Sequence, residues 1–375
     1  MTLGSFDNAP LAAEPALPER QSQASQIWKR FRRHRLGVIG LCITVFFYAI
    51  TLFVEVLAPQ GADAYSTRHA YYPPQRVRLF LDDGSFQPHV LSYKVVFNYE
   101  TGQRKFEPDP KNVVELGFWV KGDSYKWLGL IKGDRHLFGA RNPRQKVFFV
   151  GADRLGRDVL SRTIYAARVS MTIGLLGVAI SLVLGILIGG VSGYAGGTVD
   201  QLIQRFIEFL QSLPSIPLWI GIAAAIPSDT PPLQTYFFIT VVLSVLGWTG
   251  LARVVRGRFL ALKAEDFIKA ARLDGCGTFR ILLRHMLPNF YSHTIAVITL
   301  AIPGMILAET ALSFLGIGLK PPVVSWGVLL QEVQNVRSMA TAPWLFLPGA
   351  VVVVAVLALN FLGDGLRDAA DPHAQ

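Results

Sequence analysis

The stretch EDFIKAARLDGCGTFRILLRHMLPN, residues 265–289, decides how the rest of the chain is read. It is cationic and helix-compatible, yet it lies between two long apolar runs, residues 233–252 and 291–313. Runs of about 20 apolar residues are long enough to cross about 30 Å of hydrocarbon as helices. The segment between them is therefore a loop, and its own pattern gives that loop structure. Phe259, Leu262, Asp266, Phe267 and Ala270 fall near helical spacing with only Asp266 polar, and Glu265 stands four residues before Lys269, a favourable order for a helix ion pair. Gly275 and Gly277 break this helix. Thr278 is placed to cap a second one, in which Phe279, Leu282, Leu283 and Met286 form an i, i+3, i+4, i+7 stripe before Leu287-Pro288 ends it. Two short helices joined by a glycine turn make a knob with one apolar face and a basic perimeter. Such a knob fits a groove on a partner protein or lies on anionic lipid headgroups; periodicity alone leaves both open.

Working outward, the composition points to a membrane protein. The 375 residues are 51% hydrophobic and only 17% charged, with a mean hydropathy of +0.38. Six runs are predicted to span: 36–57, 170–194, 206–226, 233–252, 291–313 and 343–363. Their few acids, chiefly Glu55, Glu208 and Glu309, lie near the ends, where an ionised group costs least. Glu309 is a candidate pore-side acid; the alternative is an acid hydrogen-bonded to a neighbouring helix. Pro214, Pro217 and Pro303 fall within runs and are expected to kink them. The net charge of +10 does not point to nucleic acid, because Lys and Arg sit in segments bracketed by apolar runs and not on a soluble face. Lipid headgroups and topology account for it.

The flanks set an orientation. Lys29, Arg30, Arg32, Arg33 and Arg35 precede the first span, placing the N-terminus in the cytoplasm, and six crossings return the C-terminus there. The same count places the 253–288 loop in the cytoplasm, in keeping with its eight Lys/Arg against three Asp/Glu. Residues 58–168 hold eighteen of the thirty-six Lys/Arg and fall outside, but long loops translocate largely regardless of charge. The expected organisation is a disordered polar tail (1–26), a basic flank with the first span (27–57), an extracytoplasmic insertion (58–150) and a membrane core (151–375). The 22-residue first run is too long for a signal-peptide core and is read as a retained anchor. The insertion reads as β-rich: RVRLFLDDGSF (76–86) and YKVVFNYETGQRKF (93–106) carry hairpin signals, and VVELGFWV (113–120) and KVFFV (146–150) are strand-prone.

Catalytic chemistry is not written in this chain. No G-x-x-x-x-G-K-[S/T] sequence cradles nucleotide phosphates, so ATP hydrolysis would belong to another polypeptide. The seven His are scattered, without the spacing of a metal site, and no cofactor site is expected. Cys42 lies in a span and Cys276 in the loop, so no disulfide is expected. PPVVSW (321–326) pairs turn prolines with a Trp suited to interfacial anchoring.

The run Ala270-Ala271, then Gly275, then Leu287-Pro288 resembles the EAA loop of ABC importer permeases, whose pattern is EAA, three residues, G, nine residues, I-x-L-P. Lys269 replaces the usual Glu, and His285 the usual Ile. GADRLGRDVLSRTIYAARVSM (151–171) is similar to the GTD-x-x-GRD-x-x-SR motif of the C-type permease subunit of dipeptide and oligopeptide ABC importers, with Ala152 for Thr and Ala166 for Gly. LSFLGIGLKPPVVSWG (312–327) and NFLGDGLRDAADP (360–372) resemble the same branch. The resemblance implies an all-α polytopic protein of the type I importer permease fold, with six transmembrane helices and a small β-rich insertion after the first. It implies a bacterial inner-membrane subunit, not an enzyme, that moves peptides by alternating access. The implied partners are a second, B-type permease subunit, two ATPase subunits carrying ATP and Mg, and an extracytoplasmic solute-binding protein. The coupling loop would comprise Glu265, Asp266, Lys269, Ala270, Ala271, Gly275, Leu287 and Pro288; since Lys269 reverses the usual charge, coupling either does without that acid or uses Glu265 and Asp266, one turn away. The outer-mouth motif would comprise Asp153, Gly156, Arg157, Asp158, Ser161 and Arg162, in which Arg157, Asp158 and Arg162 form an ion-paired cap and Gly156 allows a turn, or the segment is a solvated lead-in to the span. The other reading of the chain, an ion-coupled secondary transporter or channel, calls for acids near the bilayer midplane, which the runs lack.

Overall fold

The computed structural model describes residues 23–81, 84–98, 103–227, 229–286 and 291–370. After a short basic helix, α1 (Gln23–Phe31), the first span is α2 (Arg35–Leu52), begun by His34, whose Nδ1 accepts from Gly37 N at 2.9 Å. The apolar run does not continue as one helix to residue 57. It breaks at Phe53, and α3 (Val54–Leu57) follows.

An antiparallel sheet of four strands in sequence order comes next: β1 (Val77–Phe80), β2 (Phe86–Asn98), β3 (Gln103–Trp127) and β4 (Ile131–Ala140). Both expected hairpins form, with Phe80 opposite Phe86 and Asn98 opposite Gln103. Their turn residues 82–83 and 99–102 lie outside the described residues. Two expectations change. The 146–150 segment is not a strand; Val147 and Phe148 are buried plugs beneath the sheet. The fourth strand is instead IKGDRHLFGA, which pairs with the far half of the 25-residue β3.

The membrane part is helical: α4 (Val159–Ala195), α5 (Gly197–Ser212), α6 (Ser215–Ala224), α7 (Pro232–Leu262), α8 (Asp266–Leu273), α9 (Thr278–Arg280), α10 (Tyr291–Phe314), α11 (Trp326–Leu330), α12 (Val336–Thr341) and α13 (Leu347–Ala370). Among the described residues five helices, including α2, α4, α7 and α13, are long and apolar enough to cross a membrane. The sixth crossing is met only if α5 and α6 count as one span, bent by 84°. The run 206–226 is therefore not a straight helix. Leu213 is extended and Pro214 stands at the N-cap of α6, so the missing Pro N–H marks the break. Pro303 lies inside α10.

The core is built by α2, α4, α7, α10, α11 and α13 around Phe47, Met171, Ile173, Leu243, Ile306, Trp326 and Leu359. Trp326 is fully buried, donating Nε1–H to Thr163 O at 3.1 Å and meeting Phe47 edge-on, so it is a core residue and not an interfacial anchor. Along the α4–α7 contact, Gly185, Gly189 and Gly193 present a bare stripe at four-residue spacing. A Cβ on Gly189 would lie 2.4 Å from Ala252 O, and one on Gly193 2.7 Å from Arg256 O. Small residues let two helix backbones meet where lipid supplies no hydrophobic drive between them.

Candidate functional site

The 265–286 segment folds as two helical pieces on the far ends of α4 and α7. In α8, Ile268 and Ala271 turn inward; from the second piece Ile281, Leu282 and Met286 do so, packing with Val255 and Phe259. Fully burying each Ile, Phe or Met is worth about 1.5–3 kcal/mol, enough to hold the knob rigidly on the span ends. The inward stripe expected of the second piece is met by Leu282 and Met286, but in α8 the inward face is not the one the periodicity suggested. Phe267 and Phe279 belong to the predicted stripe but are 42% and 64% exposed, and Leu273 is 89% exposed. Ala270 also faces outward. The knob offers an outer apolar face bordered by Lys269, Arg272, Asp274 and Arg280, all exposed.

The joint between the pieces is closed by backbone alone. Gly275 takes φ +73°, its N–H donates to Arg272 O at 3.0 Å, and Cys276 N–H reaches Ala271 O at 3.0 Å, the Schellman pattern that a left-handed residue completes. Gly277, not Thr278, occupies the second N-cap, and no side chain caps there. After α9 the chain makes one π-helical turn, Ile281–Met286. Leu287 and Pro288 lie outside the described residues, as does the side chain of Leu283.

Lys269 does not pair with Glu265. Its Nζ lies 2.9 Å from Asp266 Oδ1, while Glu265 is the extended N-cap residue of α8. The Lys269 ammonium holds the Asp266 carboxyl below its ordinary range. The charge reversed at position 269 is thus neutralised locally, and Glu265 is left exposed beside it. Arg272 lies over the Tyr194 ring at 4.7 Å, fastening the knob to the end of α4.

Sequence reasoning missed the clamp beneath the knob. Asp200 of α5 pairs with Arg256 of α7, Nε to Oδ1 and Nη2 to Oδ2 both at 2.5 Å, and accepts from Ser192 Oγ of α4. Three helix ends meet there. The partners are 56 residues apart, so no local pattern shows the pair. The glycine stripe 185, 189, 193 was a signal available in the sequence.

At the other end of α4, the 151–162 motif is tightly ordered. Asp153 is buried, its Oδ2 taking Arg157 Nε at 2.6 Å and Arg162 Nη1 at 2.7 Å, and its Oδ1 accepting from the N–H of Leu155 and of Arg157. Asp158 caps α4, accepting from Ser161 N at 2.8 Å and Ser161 Oγ at 2.6 Å. Burial pushes the Asp158 carboxyl up to about 6. Gly156 has φ +69°, and a Cβ there would fall 1.8 Å from Ser66 O. Ser161 Oγ also accepts from Gln60 N at 3.0 Å, which ties the motif to the chain leaving α3. All six expected residues come together as a lock, but the acid that pairs with Arg157 and Arg162 is Asp153 and not Asp158, which is spent on capping α4 through Ser161.

Glu309 is fully buried in α10. Its Oε1 accepts from Ser313 Oγ at 2.8 Å and Ser325 Oγ at 2.7 Å, and its Oε2 from Ser170 Oγ of α4 at 3.2 Å. Ser325 in turn caps α11, and Ser170 accepts from Trp326 N. The carboxylate joins α4, α10 and α11. It is not among the residues lining the large cavity of about 630 Å³ that opens at the α5–α6 bend. That cavity is lined by Ser181 of α4, Gln211 and Trp219 beside the bend, Gly247 of α7 and Met305 of α10, among others.

A bundle of apolar helices with a glycine-packed core, a sharply bent helix pair and a structured knob on its span ends defines a polytopic membrane protein. The family described as "Binding-protein-dependent transport system inner membrane component" matches residues 181–375, and that described as "N-terminal TM domain of oligopeptide transport permease C" matches 22–74. The chain is 38% identical over 240 residues to the oligopeptide transport system permease protein OppC of Haemophilus influenzae, covering 64% of this chain and 75% of that one. It is 40% identical over 224 residues to the dipeptide transport system permease protein DppC of Bacillus subtilis, covering 59% and 68%. A third relative, DppC of Lactococcus lactis, is 31% identical over 372 residues, 98% of this chain and 94% of that protein, and so spans the insertion too. The chain belongs to the C-type permease family of ABC importers, a multi-pass inner-membrane transport subunit and not an enzyme.

Proposed function

We propose that this subunit passes peptides through the bacterial inner membrane, paired with a B-type permease subunit and driven by two ATPase subunits that hold ATP and Mg. The observation that carries the reading is the knob: its inner face is bolted to α4 and α7, while Phe267, Leu273 and Phe279 stay exposed. A rigid element with an unspent apolar face transmits movement from a docked partner into the spans it sits on. The N- and C-termini and the knob lie in the cytoplasm, and the sheet lies outside, where a solute-binding protein delivers cargo. Support for the sides comes from the basic flank before α2 and the basic 253–288 loop. The residues Glu265, Asp266, Lys269, Ala270, Ala271, Gly275, Leu287 and Pro288 form the docking loop, and the 153–162 lock closes the outer end.

The cavity at the α5–α6 bend is the part of the path contributed by this chain. Its volume falls in the range of small-molecule sites. Gln211 and Trp219, whose buried indole N–H has no hydrogen-bond partner among the described residues, supply donors suited to peptide carbonyls. Glu309 acts as a positioning residue behind this wall. The test is uptake of a labelled peptide into proteoliposomes holding both permease subunits, the ATPases and the binding protein. Uptake that needs ATP and this chain supports the reading; uptake that follows an ion gradient without ATP overturns it.

A further inference from the structure

The β3–β4 hairpin aims back at the bilayer. Toward its tip, its contacts with the segment after α2 run backward in sequence. A Cβ on Gly139 would lie 3.9 Å from Pro59 O, His136 Nδ1 lies 2.6 Å from Ala58 O, and at the tip Trp127 Nε1 donates to Leu52 O at 2.7 Å. Leu52 is the last residue of α2, and the Trp127 ring stacks on Phe53 with centroids 5.8 Å apart. Since residues 52–59 lead away from the span, a hairpin that meets them in reverse order descends toward it.

The tip itself is shaped for something other than water. Leu130 N–H donates to Trp127 O at 2.9 Å across Leu128 and Gly129, with φ +49° and +78°. This is the type I′ pattern, which ordinarily takes Asn-Gly or Asp-Gly, and a leucine in the left-handed position is an outlier. Leu128, Leu130 and Ile131 are 47%, 84% and 58% exposed. Lys126 and Lys132, opposite each other on the two strands just behind the tip, are exposed as well. The apolar tip continues the surface of the membrane-spanning α2, where Val45, Phe46 and Leu52 are also exposed, and of Phe53 just beyond it.

We propose that the β3–β4 hairpin is a lipid anchor. Leu128, Leu130 and Ile131 enter the acyl region of the leaflet beside α2, Trp127 sits at the headgroup boundary, and Lys126 and Lys132 meet lipid phosphates. The anchor pins the inserted sheet at a fixed height over the mouth of the transporter. It is independent of which solute passes.

The test uses the assembled transporter in liposomes, with Cys42 and Cys276 replaced by Ala and a bimane label on Leu130→Cys. Lipids with a nitroxide near the headgroup end of the acyl chain are the probe. The expected result is quenching close to that of a label on Val45→Cys, several-fold above that on Ser85→Cys at the β1–β2 turn, and protection from iodide. Iodide quenching without nitroxide quenching places the tip in water and overturns the proposal; so does protection from both, which places it under a partner protein. A Leu128→Asn, Leu130→Thr variant fits the turn better and keeps the sheet folded. In it, a label on Ile131→Cys is expected to lose its nitroxide quenching; retained quenching counts against the anchor.

Discussion

Replacing Gly275 with valine isolates the backbone joint of the knob. The residue sits at φ +73° on the exposed surface, and a Cβ there meets nothing within 4 Å. What it adds is the cost of holding an L-residue in the left-handed region, about 1–2 kcal/mol. That lowers the population of the closed joint by roughly 5–30-fold. The Schellman bonds from Gly275 and Cys276 to Arg272 and Ala271 are lost with it. Asparagine, which tolerates this conformation, is expected to stay near the parent, with alanine between the two. The assay is peptide uptake and co-purified ATPase from tagged complexes in proteoliposomes, at matched permease levels. Parent-level uptake and ATPase recovery in the valine variant would refute the reasoning, because neither the joint nor the adjoining surface would then matter to coupling.

Gly189→Leu should drive α4 from α7, since even its Cβ would lie 2.4 Å from Ala252 O; overpacking of about 1–3 kcal/mol or more is expected. Loss of the monodisperse complex on size exclusion checks this, with Gly257→Ala, which meets nothing within 4 Å, unaffected. Asp158 titrates near 6 when folded against an ordinary 3.8, so its folded form holds the proton more tightly. The stability it contributes is full below the unfolded value and is lost as pH rises through about 6, a change of about 3 kcal/mol. Asp158→Asn, which keeps the cap acceptor, should gain relative to the parent as pH rises from 4 to 6 and no further in thermal melts; a constant difference contradicts the assignment. Glu309→Ala strands three serine hydroxyls, at about 1–3 kcal/mol for each one left unsatisfied, whereas Glu309→Gln retains the acceptor. The alanine variant should melt well below the glutamine one, and equal melting would contradict the positioning role.

The apolar runs were legible because lipid demands length and hydrophobicity and little else, and the knob because Gly275 and Gly277 punctuate it. Which face of α8 turns inward was not legible, although Leu282 and Met286 of the second piece follow their stripe. Ile268 and Phe267 are equally apolar, and only the arrival of Phe259 and Tyr194 from elsewhere decides between them. Pro214 announced a break but not its 84° bend, which depends on the packing of α6 against α7. The Asp153 motif was found as a cluster because its members lie within ten residues. The Asp200–Arg256 clamp escaped because its partners meet only after folding. Trp326 looked interfacial from its prolines, yet its indole N–H finds Thr163 O in the core.

The central claim, that the outer face of the knob receives the ATPase, is tested most directly by crosslinking. A single cysteine at Leu273, the most exposed apolar position among the described residues of the knob, is introduced into the assembled transporter in inner-membrane vesicles. The account predicts a crosslink to the ATPase subunit whose yield changes when ATP is added, and none from a cysteine at Ser85 on the sheet. A Leu273→Cys residue that never crosslinks to the ATPase, and that reacts with impermeant reagent from the periplasmic side, would contradict it.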